Sequence, residues 1–167
     1  MKTSIIVTAY IQQRYQAHMT MTCIGNVTKF TDPEDYELIL ISDSEKFPVR
    51  DDYHVLKIDK YIKTEGKSYT QAMNLGAKEA TGDVLVFLQN DVFVHEKWLK
   101  DLRFYIDTLG FSVVFPDQVP RNREYVKASY DRDFDHPAAM QGGRDAGLLM
   151  ITKEGFEQHL YRKVKRM

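Results

Sequence analysis

The unbroken apolar run Val84-Leu85-Val86-Phe87-Leu88 constrains this chain more than any other feature. A short, β-branched, wholly apolar run suits a strand buried on both faces, at the centre of a parallel sheet. Related runs recur along the chain. Ser4 to Val7 is β-branched and reads as a buried strand. Glu37 to Ile41 reads as a second, stopped by Ser42-Asp43-Ser44, and Val55 to Ile58 as a shorter third. Ser112 to Phe115 and Gly147 to Ile151 complete the set.

Helical patterns separate these runs. Gln12 to about Phe30 predicts a helix that frays near Gly25, before the break at Thr31-Asp32-Pro33. Tyr69 to Ala80 carries Ala72, Met73, Leu75, Ala77 and Ala80 at helical spacing, and Thr81-Gly82-Asp83 ends it. Trp98 to Leu109, closed by Gly110, and Lys153 to Tyr161 are two more helices. From Pro116 to Arg144 the chain is polar, with Pro, Gly and many Asp, which reads as a long loop or a short hairpin. Strands alternating with helices predict an α/β fold with a mostly parallel sheet flanked by helices. The 167 residues suffice for one such domain.

Charge removes one class of function. With 23 Lys and Arg against 24 Asp and Glu, the net charge is -1, so no basic field advertises nucleic acid. The dense basic stretch Arg162, Lys163, Lys165 and Arg166 reads as a solvated tail or as a peripheral foothold on an anionic membrane. A single cysteine, Cys23, rules out an intrachain disulfide and a cysteine-built zinc site, and fits a reducing compartment. The apolar run at the start is too short for a signal peptide or a membrane span, so the expected location is cytoplasmic.

Parallel sheets of this type bind ligands at the carboxyl ends of their strands. Thr8, Ala9 and Tyr10 follow the first run, Ser42, Asp43 and Ser44 the second, and Gln89, Asn90 and Asp91 the central one. No glycine-rich loop follows the first strand, so a dinucleotide fingerprint and a P-loop are absent. A bound diphosphate would need another counter-charge, which a divalent cation on Asp91 supplies.

These pieces together resemble the family 2 glycosyltransferases of the GT-A fold. Ser4 to Tyr10 resembles that family's opening strand, and Glu37 to Asp43 its second, which usually ends in two acidic or amide residues. Asn74-Leu75-Gly76-Ala77 followed by Ala80-Thr81-Gly82-Asp83 looks like its N-x-G-x(3)-A-x-G-[DE] helix and turn. Val84 to Val92 looks like the strand that delivers the D-x-D motif, and Trp98-Leu99 matches the W-L that follows. Ala146 to Phe156 loosely resembles a further strand and helix.

The resemblance implies a fold, a reaction and roles. Residues 1–93 would form the nucleotide-sugar-binding half and 94–167 the acceptor-side half of a GT-A domain. The implied activity is transfer from a UDP- or GDP-sugar to an acceptor that the sequence does not identify, with inversion and with Mn or Mg bridging the diphosphate to Asp91. Thr8 would hold the base by main-chain contacts and Tyr10 by stacking. Asp43, a pure acceptor when ionised, would take the ring N–H of uracil or guanine. Lys67 and Ser68 would contact base or phosphates, and Asn90 the ribose.

The sequence also departs from the family. Ser42 replaces the first carboxylate of its pair, and Gln89-Asn90-Asp91 keeps one acid of the D-x-D pattern, with His136 as a candidate further ligand. The family's G-G-[FW]-D-E turn and E-D motif are missing, so the base must come from elsewhere. Asp145, just before the last strand, is the first choice, then Asp117, then Asp131, Asp133 and Asp135. Arg144 or Arg14 suits the departing diphosphate. The short acceptor half implies a small acceptor or completion by a second subunit, with a homodimer as the simplest case. Each site residue also has an ordinary reading: Tyr10 as a packing aromatic, Asp43 and Asp91 as turn acids, Asp145 as a loop carboxylate. Two other functions stay open: a non-catalytic nucleotide- or sugar-binding module, and a sugar-phosphate nucleotidyltransferase.

Overall fold

Alternation decides how each central strand is shared between two cores. In the computed structural model, which describes residues 2–43, 56–64, 66–116 and 147–158, every residue of β1 (Thr3–Ala9) and β2 (Tyr36–Ser42) is buried. Ile5, Val7 and Ala9 of β1, Leu38 and Leu40 of β2, and Val84, Val86 and Leu88 of β4 (Val84–Gln89) join one apolar cluster. Ile6, Ile39, Ile41, Leu85 and Phe87 join the other. Successive side chains point to opposite faces, so a run apolar at every position needs cover on both.

Among the described residues, four helices supply that cover. On the first face lie α1 (Arg14–Phe30), through Cys23, Ile24 and Val27, and α3 (Trp98–Asp107), through Trp98, Leu99, Leu102 and Ile106. On the second lie α2 (Tyr69–Glu79), through Ala72, Met73 and Ala77, and α4 (Lys153–Gln158), through Phe156. The Phe156 ring sits 5.3 Å from that of Phe87. Gly76 lets α2 approach closely: a Cβ there would meet Ile41 Cδ1 and Ile6 Cγ2 at 2.6 Å.

The sheet has six strands in the order β3-β2-β1-β4-β6-β5, with β3 (Lys60–Lys63), β6 (Leu148–Thr152) and β5 (Val113–Val114) outside the central trio. The pairs β1–β2, β1–β4 and β2–β3 are parallel. Antiparallel β6 pairs Leu148 with Leu88, so it enters from the end of the sheet where β4 leaves. β5 pairs Val114 with Met150 and runs toward that same end. The expected α/β fold with a mostly parallel sheet and flanking helices is the observed one.

Three local expectations are corrected. The third strand is Lys60–Lys63, not Val55–Ile58: Lys57 has φ 51, a left-handed backbone that breaks any extended run, and Leu56 turns its side chain into the core. Val55 lies outside the described residues. Helix α1 passes through Gly25 without a break, because Cys23, Ile24 and Val27 anchor it on the sheet around that residue. The strand expected at Ser112–Phe115 shortens to Val113–Val114 at the edge, where β6 is its only partner among the described strands.

At the amino end of the sheet a buried polar clasp closes the second face. Ser4 donates to Glu37 Oε1 at 2.5 Å, Thr81 N–H donates to the same oxygen at 2.6 Å, and Gly82 N–H donates to Ser4 Oγ at 2.8 Å. Burial pushes the Glu37 carboxyl up, but the bonds from Ser4 and Thr81, with Lys2 nearby, outweigh it and hold the group below its usual range.

Candidate functional site

Register fixes where the polar tips of the central strands stand. Ala9 of β1 pairs with Ser42 of β2, and Thr8 pairs with Gln89 of β4. One step beyond these pairs stand Tyr10 and Asp43, while Asn90 and Asp91 lie in the turn that Val92 N–H closes on Gln89 O at 3.2 Å. Asp43, Tyr10 and Asp91 therefore follow the carboxyl ends of β2, β1 and β4, a row of adjacent strands about 10 Å wide at two inter-strand spacings. A ligand of nucleotide size spans such a row.

Each side chain in the row has a different setting. Tyr10 is 61% exposed and free to stack on a flat ring. Asp43 is half-buried, and its Oδ1 is a buried acceptor with no hydrogen-bond partner. Burial raises its pKa above the ordinary 3.8, partly offset by a bond from its own backbone N–H. A buried carboxylate oxygen lacking a donor is costly unless a ligand supplies one. Asp91 is exposed beyond the end of β4.

The neighbouring predicted residues gather at the same edge. Thr8 is buried within β1, so only its main chain and the foot of its side chain face the site. Thr64 N–H donates to Ser42 O at 3.1 Å and Lys67 N–H to Thr64 O at 3.1 Å, which turns the chain from β3 into α2 beside Asp43. Lys67 is exposed there. Ser68 caps α2: its Oγ accepts from Gln71 N–H at 3.4 Å, and Gln71 Oε1 accepts from Ser68 N–H at 3.0 Å. Its hydroxyl is thus engaged in starting the helix. Exposed Tyr15 and Tyr69, in the first turns of α1 and α2, add two aromatic rings to this edge.

Asn90 faces inward. Its Nδ2 donates to Thr20 Oγ1 of α1 at 2.8 Å, and Thr20 is fully buried. The same helix holds the loop at two further points. Cys23 Sγ lies 3.6 Å from Gln89 O, and Asn26 Oδ1 accepts from Val94 N–H at 2.5 Å. The Cys23 thiol is pushed up to about 12 by burial and by the charge of Asp91. Thr20 and Asn26 carried no sequence signal, since polar residues in a helix most often face water. Asn74, quoted above as part of a motif, has a buried Oδ1 without a hydrogen-bond partner.

Asp145 lies outside the described residues, as do Asp117, Asp131, Asp133, Asp135, His136, Arg144, Ser44 and the basic stretch from Arg162 to Arg166. Gly147, the first described residue after that gap, stands at the site edge, where its carbonyl accepts from Gln89 N–H at 2.8 Å.

The donor set limits what cation the edge can hold. Among the described residues no group of three or more His, Cys, Asp or Glu side chains is placed to ligate a metal. Mg and Mn favour about six oxygen ligands, often phosphate oxygens and water beside one or two carboxylates. Asp91 alone fits a cation that arrives shared with a diphosphate, and does not fit a resident ion.

Comparison with known proteins bears on the family and the fold. The model of the family described as "Glycosyl transferase family 2" matches residues 4–162. The glucosyl-dolichyl phosphate glucuronosyltransferase of Haloferax volcanii is 25% identical over 141 residues, covering 78% of this chain and 44% of that protein. Residues 1–349 of S. aureus TarS superpose with a TM-score of 0.67 at 16% identity, over 95% of this chain and 49% of that one. That TarS region has also been solved with UDP-GlcNAc. The mannosyltransferase PcManGT of Pyrobaculum calidifontis, solved with GDP-Man and Mn2+, superposes with a TM-score of 0.69 at 13% identity, over 94% and 46% of the two chains. The chain thus spans about half the length, or less, of these relatives.

Proposed function

The chain belongs to glycosyl transferase family 2, and from that premise we propose that it moves a sugar from a UDP- or GDP-sugar to an acceptor hydroxyl, with a divalent cation carried on the donor diphosphate. The orphaned, buried Oδ1 of Asp43 carries this reading. Uracil and guanine each present a ring N–H beside a carbonyl, and that N–H supplies the donor the carboxylate lacks. Tyr10, on the next strand, would stack on the base, and Lys67, whose Nζ donates to Thr64 O at 3.4 Å, would exchange that contact for the phosphates. Solved nucleotide-sugar complexes of TarS and PcManGT support the ligand class.

The reaction is a single displacement. The acceptor oxygen forms a bond to the anomeric carbon as the bond from that carbon to the diphosphate oxygen breaks. The acceptor proton passes to a carboxylate, and the nucleoside diphosphate leaves with the bonding pair. General-base help of this kind is worth roughly a hundred- to ten-thousand-fold. Asp145, at the sequence position leading into Gly147, is the proposed base. Asp91 holds one side of the diphosphate's cation, which when bound offsets the charge developing on the leaving group.

Titration calorimetry with UDP and GDP, with and without Mn, tests the binding half. Release of nucleoside diphosphate from UDP- and GDP-sugars, compared with Asp91→Ala, tests the catalytic half. A second reading, a nucleotide-sugar-binding module without turnover, is favoured by the thin carboxylate complement around Asp91. Tight UDP or GDP binding with no release from any common donor selects it.

A further inference from the structure

From the last residue of β4 to the loop before α3 the chain is bonded to α1 at three points. Thr20, Cys23 and Asn26 are spaced by three, which puts them on neighbouring turns of one helix face. They meet, respectively, the Asn90 amide, the Gln89 carbonyl and the Val94 N–H. A fourth point follows where Trp98 Nε1 donates to Thr31 Oγ1 at 2.9 Å, just past the end of α1. Asp91 sits between the first and third fastenings and is itself exposed.

We infer that Thr20 and Asn26 of α1, acting through Asn90 and Val94, are positioning residues that hold Asp91 ready for the cation on a nucleotide diphosphate. The inference rests on the function proposed above. It reassigns Asn90: an amide donated to a fully buried threonine orients the loop rather than reading the ribose. Among the described residues Asp91 has no second carboxylate, His or Cys grouped with it to correct its aim. Its placement must therefore be built into the loop before the ligand arrives, and partners beyond the ligating group commonly change metal affinity by about 10- to 100-fold.

The experiment is calorimetry of UDP, and of GDP, with and without MnCl2, on wild type and on Thr20→Val, Asn26→Leu, Thr20→Ser and Asn26→Asp. The gain in nucleotide affinity on adding Mn should fall about tenfold in Thr20→Val and Asn26→Leu. Affinity without Mn should stay within about twofold, and the Ser and Asp variants, which keep the oxygen acceptors, should restore the gain. An Mn gain that disappears in Asp91→Ala but survives in Thr20→Val and Asn26→Leu overturns this inference alone. No gain in wild type, or one that survives Asp91→Ala, overturns the metal step of the proposed function and this inference with it. Amide exchange on ligand-free wild type is independent of how the variants fold. The Val94 N–H should be protected there, and exchange at the rate of an open loop would show that nothing holds the loop in advance.

Discussion

Half-buried Asp43 and buried Glu37, at opposite ends of the sheet, have opposite relations to their surroundings, and opposite consequences follow. Asp43 lacks a partner for Oδ1, and burial raises its pKa, so its charged form works against folding near neutral pH. Its folded value lies above the unfolded one, so its contribution becomes less unfavourable as pH falls toward the ordinary 3.8. Asp43→Ala should therefore raise the melting temperature while weakening UDP or GDP binding about 10- to 100-fold, the worth of a hydrogen bond to a charged acceptor. Thermal denaturation and calorimetry on the same preparation check both signs. Glu37 is the reverse case, with its folded value below the ordinary 4.5. It contributes stability that is complete above that value and is lost as pH falls through the depressed one. Glu37→Gln should lower the melting temperature most near neutral pH, with the gap to wild type closing in acid. The three residues of the row were legible in the sequence because each follows a strongly apolar run. The inward turn of Asn90 was not, since its partner Thr20 lies 70 positions away in the chain.

Strand and helix positions followed from pattern wherever burial on both faces forced it. Val84 to Leu88 and Glu37 to Ile41 are apolar at nearly every position, and both lie inside observed strands. Edge elements were harder to read. Lys60–Lys63 is four residues long, with Tyr61 and Ile62 between two lysines and no alternation to read, and tertiary pairing with β2 decides its state. Glycine, too, has a meaning that pattern alone does not give. Gly25 lies inside α1 with open space where a Cβ would go, whereas a Cβ at Gly82 would meet Lys2 O at 2.6 Å, Ser4 Oγ at 2.7 Å and Ser4 N at 2.8 Å. Gly25→Ala should stabilise the protein by about 0.5–1 kcal/mol through helix propensity. Gly82→Ala should cost about 1–3 kcal/mol, because backbone atoms cannot step aside as a side-chain tip can. Urea midpoints for the two variants should move in opposite directions.

At the scale of the molecule, the lack of any group of three metal-ligating side chains among the described residues predicts conditional metal binding at Asp91. Chelation by EDTA should leave the melting temperature of the ligand-free protein unchanged, and Mn alone should not raise it. Mn together with UDP or GDP should raise it beyond the nucleotide alone, by mass action on the folded state. A scan of melting temperature against Mn, with and without nucleotide, separates these outcomes. The arrangement of the last two strands has a separate consequence. β5 runs toward the rim from which β6 starts, so the described chain leaves the sheet and re-enters it at one rim. Doubling the length of such an insert costs only about 0.6 kcal/mol of closure entropy. A change of length at that junction should therefore leave the threading of β1, β2 and β4 intact.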